Sequence, residues 1–102
     1  MDRRRFDHLA VELSVAACEP IARYALWQRL QEHGLDPLDL RRDALLAFVD
    51  GPLARFLLEQ QLAVPPRALR RLRRRVARFD PAYPTPEEVF ARIVDAWRRE
   101  ER

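Results

Sequence analysis

The residues nearest the start of this chain that could do chemistry are a histidine and a glutamate. His8 and Glu12 are four residues apart, a spacing that would place two metal ligands on one face of a helix. The only other histidine, His33, is distant in the sequence, and the apolar periodicity puts His8 and Glu12 on the polar side of the first predicted helix. We therefore expect both side chains to be exposed and to bind no metal.

Candidate nucleophiles are few. Cys18 is the single cysteine, so no disulfide can form within the chain, and no motif surrounds it that would activate a thiol. We expect it to be a buried structural cysteine. Ser14 and Thr85 are the only aliphatic hydroxyls, and two glycines are too few for a glycine-rich phosphate loop. The sequence therefore predicts no catalytic residue, no cofactor and no enzymatic activity.

The strongest candidate binding element is an arginine-rich helix, predicted over residues 66–79. Residues 67–78 read RALRRLRRRVAR, with seven arginines and no acid. A period of 3.6 residues puts Leu69, Leu72 and Val76 on one side of this helix. Five arginines cluster on the opposite side, and we call them the arginine face: Arg67, Arg70, Arg71, Arg74 and Arg78. They are the candidate contacts for a polyanion or another partner.

The arginine face places like charges next to one another. Four pairs of arginines are spaced i,i+4 (67/71, 70/74, 71/75 and 74/78), and each such pair is repulsive by roughly 0.2–0.5 kcal/mol. The charge must be balanced by acids on neighbouring helices, by salt or by a polyanionic ligand. The sequence leaves these alternatives open, including an ordinary solvated face.

Residues 57–75, LLEQQLAVPPRALRRLRRR, resemble the helix-turn-helix motif. The resemblance implies that Leu62 and Val64 pack beneath the turn and that the first members of the arginine face reach phosphates or guanine edges. Two positions depart from the motif, since Glu59 replaces a small residue and Ala63 replaces the turn glycine.

Proline and glycine divide the chain into helices, and no segment alternates with the period of two that strands require. The second helix is expected to begin at Pro20 and to end at a Schellman cap on Gly34. The third is expected to begin at Pro37. The fold predicted is all-α, a compact single domain over residues 1–102 with about five to six short helices.

Two helices have apolar patterns that bear on assembly. The second helix is apolar on two faces, which favours central burial over an oligomer contact. The last helix is expected to begin at a capping box formed by Thr85 and Glu88. Its apolar residues are predicted to form a buried stripe: Val89, Phe90, Ile93, Val94 and Trp97.

Composition limits the functional classes. The net charge is +3, carried by nineteen arginines without a lysine, which indicates a GC-rich coding bias as much as a basic function. No apolar run approaches the ~20 residues of a membrane-spanning helix. We expect a cytoplasmic protein that has no membrane partner.

Two functions remain. The leading hypothesis is a non-catalytic helical module for protein–protein interaction or regulation, including a homodimer through the second helix or through the apolar hairpin at residues 45–58. The alternative is a nucleic-acid-binding protein that uses the arginine face. A nucleic-acid binder should keep that face free of protein partners, whereas an interaction module should expose a contiguous apolar patch.

Overall fold

A computed structural model describes residues 2–82 and 86–100, with the side chains of 86–88 left out. Within these ranges the chain forms six α-helices and no β-strand, which confirms the predicted all-α bundle. The helices are α1 (Arg4–Ala17), α2 (Arg23–Glu32), α3 (Arg42–Asp50), α4 (Pro52–Glu59), α5 (Pro66–Arg78) and α6 (Pro86–Glu100). None of the helices in the described ranges is both long enough and apolar enough to cross a membrane.

The first five helices share one hydrophobic core. α5 packs against α1 and α3, α3 packs against α4, and α1 packs against α2. Periodic apolar residues face inward, as predicted for α1, for the hairpin of α3 and α4, and for α5. The largest buried side chains include Phe6, Leu9, Leu13, Leu26, Leu30, Leu45, Phe48, Leu53, Phe56, Leu72 and Val76.

Left-handed residues end three of the described helices, at Cys18, Gly34 and Gln61. Gly34 has φ +77°, and the N–H of Leu35 donates to the carbonyl of Leu30 at 2.9 Å, which confirms the Schellman cap at the end of α2. Cys18 ends α1 in the same conformation, with φ 56°. Cys18 is exposed, so the prediction of a buried cysteine was wrong. The chain leaves the helix at this residue and carries the thiol off the core.

Two helices begin later than predicted. α2 begins at Arg23 rather than at Pro20, and α3 begins at Arg42 rather than at Pro37. Before α3, the Asp36 carboxylate accepts a hydrogen bond from the N–H of Leu38 at 3.0 Å. An aspartate that bonds the backbone two residues ahead stabilises a turn instead of a helix. The proline signal therefore marks a turn here.

Both apolar faces predicted for the second helix reach the core. Leu26 and Leu30 are buried on one face, and on the other Ile21, just before α2, is buried and Ala25 packs against the core. Tyr24 is exposed, so the expected burial is incomplete on that face. α2 packs on α1.

α6 differs most from its prediction. Val89, Phe90, Ile93 and Trp97 are exposed, so the expected buried stripe is not covered by the bundle. Among the described residues, α6 makes no contact with another helix as extensive as those that join the first five. Its first residue, Pro86, agrees with the predicted start. The proposed capping side chains, Thr85 and Glu88, lie outside the described residues.

Candidate functional site

Two surfaces expose groups of side chains that contact no partner among the described residues. The first lies on α5. This helix is held by its apolar side, where Leu72 and Val76 are buried and Leu69 packs against the core. Arginines alternate with these residues at helical spacing, so burying one side of α5 directs the other to solvent. The local sequence thus determines which arginines point outward.

All five members of the arginine face are exposed. None of them makes a hydrogen bond or an ion pair with any residue that the structure describes. The structure therefore places the predicted residues together on one surface, and the acids described on neighbouring helices do not cover them. The arginine face holds five cationic groups that are available to a ligand.

The other two arginines of the segment, at the flanks of the apolar stripe, are paired with acids. Arg73 binds both carboxylate oxygens of Asp50, at the end of α3, with Nε–Oδ1 at 2.7 Å and Nη2–Oδ2 at 3.0 Å. This hydrogen bonding lowers the pKa of Asp50 below its ordinary value. Such a two-pronged contact fixes the guanidinium in one geometry. Sequence reasoning did not find this partner, although the flanking position of Arg73 is a signal for it.

The second pair lies between α5 and α1. The Nε of Arg75 is 2.7 Å from a carboxylate oxygen of Glu12, and Glu12 is buried. His8, one turn earlier on α1, lies 3.6 Å from the other oxygen of Glu12 and stacks on the ring of Phe79, with ring centroids 4.1 Å apart. The prediction that His8 and Glu12 are exposed was wrong, because α5 and Phe79 cover this part of the polar side of α1.

The environment of His8 shifts its proton affinity. Burial lowers the pKa of His8 below its ordinary 6.5, and the charges of Arg75 and Arg5 lower it further, against an opposing effect of Glu12. Neutral imidazole is the form that stacks most readily in this half-buried position, because desolvation penalises the charged ring. His8 thus belongs to the contact between α1 and the end of α5.

Arginines at the start of α1 complete this contact. Arg5 donates to the carbonyl of Phe79 at 3.4 Å, and Arg4 donates to the carbonyl of Pro81. With the Glu12–Arg75 pair, these bonds hold the C-terminal half of α5 on α1. The helix that carries the arginine face is therefore held by the burial of its apolar side and by contacts on both flanks.

The helix-turn-helix resemblance agrees with the structure at some positions. Leu62 and Val64 are partly buried against the core, as the motif implies. However, α5 packs chiefly on α1 and α3 rather than on α4. Glu59 forms an ion pair with Arg29 of α2, which lowers the pKa of Glu59. The Glu59 carboxylate is therefore paired at the protein surface, away from the place where α4 and α5 would cross closely.

The second unexplained surface is the apolar side of α6, which we call the α6 apolar face: Val89, Phe90, Ile93 and Trp97. These side chains are 40%, 64%, 42% and 60% exposed, respectively. With roughly 150–250 Å² for each aromatic side chain and less for each aliphatic one, the face exposes about 400 Å² of apolar area. That area lies at the size where exposed patches of soluble proteins are often binding sites.

The predicted dimer surfaces are less extensive. α2 exposes a single large apolar side chain, Tyr24, and α4 likewise exposes only Leu58. Isolated apolar side chains are normal on protein surfaces. α1 exposes the pair Val11 and Val15, which are smaller.

The part of the chain that the structure describes contains no cluster of three or more side chains suited to a metal ion. Comparison with protein families, with curated proteins and with solved structures gives no significant match. The arginine face and the α6 apolar face are two features of the described residues from which a function can be inferred.

Proposed function

We propose that this protein is a non-catalytic helical interaction module and that the α6 apolar face contacts a protein partner. The observation that carries the proposal is the exposure of two aromatic and two aliphatic side chains on one side of α6. Phe90 and Trp97 are large aromatic side chains, and aromatic residues contribute strongly to binding at protein interfaces.

Physical reasoning favours a protein as the occupant of this face. About 400 Å² of apolar surface withdrawn from water contributes roughly 10 kcal/mol before the entropy of association and side-chain ordering is subtracted. The opposite side of α6 carries the alternating charges Arg92, Asp95 and Arg99, which suit a solvated back. α6 thus has the pattern of an amphipathic helix that binds through one side.

Site-specific photo-cross-linking in the native cell tests this proposal. A photoreactive phenylalanine analogue in place of Trp97 should form a covalent adduct with a protein, because its ring lies on the apolar face. The same analogue at Ala91, which is exposed about 200° around the helix from Ile93, is the matched control and should give little adduct. Equal adduct yields at both positions, or none at Trp97, would refute an interaction through this face.

A second candidate function is nucleic-acid binding through the arginine face. The observation that favours it is the absence of acidic partners for five outward arginines within the described residues, while the flanking Arg73 and Arg75 are paired. The arginine face spans residues 67–78, or about 16 Å of helix. A major groove about 12 Å wide admits a single helix, with phosphates along both of its edges.

Anisotropy of a labelled random duplex, titrated at several salt concentrations, tests this candidate. If all five arginines contact phosphates, the slope of log K against log salt should be about −4.5. Replacing Arg70 and Arg74 by glutamine should make this slope shallower by about two.

The matched control replaces Arg41 and Arg42 by glutamine, because these exposed residues precede and begin α3 and the change in net charge is the same. The slope should then stay unchanged. Equal effects of the two double variants would mean that the duplex responds only to net charge, and absence of binding in low salt would exclude the candidate.

A further inference from the structure

The α6 apolar face has a centre and two matching halves. Ile93 lies at the middle of α6, with Val89 four residues before it and Trp97 four residues after it. If two such helices pack antiparallel about a two-fold axis at Ile93, the large Trp97 of each copy lies opposite the smaller Val89 of the other. Alternation of large and small side chains across an interface fills space without clashes.

The available area agrees with a reversible dimer. Two copies of the α6 apolar face would bury about 800 Å² of apolar surface. Because roughly 65% of a homodimer interface is apolar, the total would be about 1,200 Å². This value lies at the lower end of standard interfaces, which suits a dimer that dissociates on dilution.

We propose that the occupant of the α6 apolar face is a second copy of this chain, paired antiparallel through α6. This inference rests on the proposed function, and it names the partner that the α6 apolar face would bind. It moves self-association from the predicted surfaces, α2 and the α3–α4 hairpin, to the last helix. The contact leaves the α5 arginine face outside the set of residues that form it.

Sedimentation of the full chain, from about 1 µM to about 500 µM, tests the dimer by mass action. The mass should rise from the 12.1 kDa of one chain towards twice that value. Ile93→Glu should weaken the dimer at least a hundredfold, because the two carboxylates would meet at the axis. Ala91→Glu, with the same added charge on the far side of α6, should leave it unchanged. Because α6 does not pack into the core, circular dichroism should show both variants folded.

An exchange of side-chain size tests the antiparallel direction. Val89→Trp should weaken the dimer roughly tenfold, because it brings two large rings opposite each other at both ends of the contact. Adding Trp97→Val to that variant should restore the affinity. If the double variant is as weak as the single one, the antiparallel arrangement is overturned.

Failure of the dimer is distinguishable from failure of the proposed function. A chain that stays monomeric at all concentrations, with its Trp97 analogue cross-linked to a different protein, overturns self-association and keeps the interaction module. A chain that stays monomeric and forms no adduct overturns both. Concentration-dependent dimerisation that Ile93→Glu abolishes and Ala91→Glu preserves supports both.

Discussion

Arg74→Gln should stabilise the protein in low salt, although it removes no unfavourable contact within the core. Arg74 is spaced i,i+4 from both Arg70 and Arg78, and none of the three has an acidic partner within the described residues. Removing two repulsive contacts of roughly 0.2–0.5 kcal/mol each should raise the free energy of unfolding by about 0.4–1 kcal/mol. Glutamine has a helix propensity close to that of arginine, so the backbone contributes little to the difference.

The salt dependence of the stabilisation identifies its electrostatic cause. The stabilisation should be largest near 0.01 M salt, where the Debye length is about 30 Å, and should vanish near 1 M, where it is about 3 Å. Urea denaturation followed by circular dichroism at the two salt concentrations measures it. In thermal melts the low-salt gain corresponds to a rise of about 2–6 °C in Tm.

Arg73→Gln is the matched control, since it makes the same substitution at the neighbouring position. Arg73 forms the two-pronged contact with Asp50, and its i,i+4 neighbours are the uncharged Leu69 and Ala77. It should destabilise the protein in low salt. If Arg74→Gln is also destabilising, or if its effect is the same at both salt concentrations, the arginine face carries no unbalanced charge. The electrostatic reason for a polyanionic ligand would then be refuted.

Three further predictions concern the bundle itself. Because Gln61 has φ 57°, Gln61→Gly should raise the free energy of unfolding by about 0.5–1 kcal/mol in urea denaturation. Gly34→Ala should lower it by a similar amount, because Gly34 has φ +77° although there is open space around the added carbon. Leu72→Ala should lower the free energy of unfolding by about 2–5 kcal/mol, and a loss below 1 kcal/mol would contradict the burial of α5. Burial lowers the pKa of His8 below 6.5 in the folded chain, so the unfolded chain binds a proton at higher pH than the folded chain does. The free energy of unfolding should therefore have its full value above about pH 7 and fall as the pH drops through the folded pKa. His8→Gln should flatten that fall below about pH 7, and an unchanged pH profile would exclude His8 as its source.

The arginine face was predictable from the sequence because one helix determines it. Apolar residues at helical spacing identify the buried side of α5, and the arginines between them must then point outward. The Schellman cap at Gly34 was predictable for the same reason, since its bonds join residues within one turn. Local signals were less reliable at Pro37, where the Asp36 turn competes with the helix.

Contacts between helices were decided by the tertiary structure alone. The pattern of α1 makes Glu12 a polar-side residue, yet α5 lies against it and buries it with Arg75 as its partner. The pattern of α6 shows an amphipathic helix, but periodicity carries no information on which surface covers its apolar face. Sequence periodicity assigns each residue to a side of its own helix, because that depends on backbone geometry over a few residues. Which helix, or which second molecule, meets that side depends on the free energy of the whole assembly.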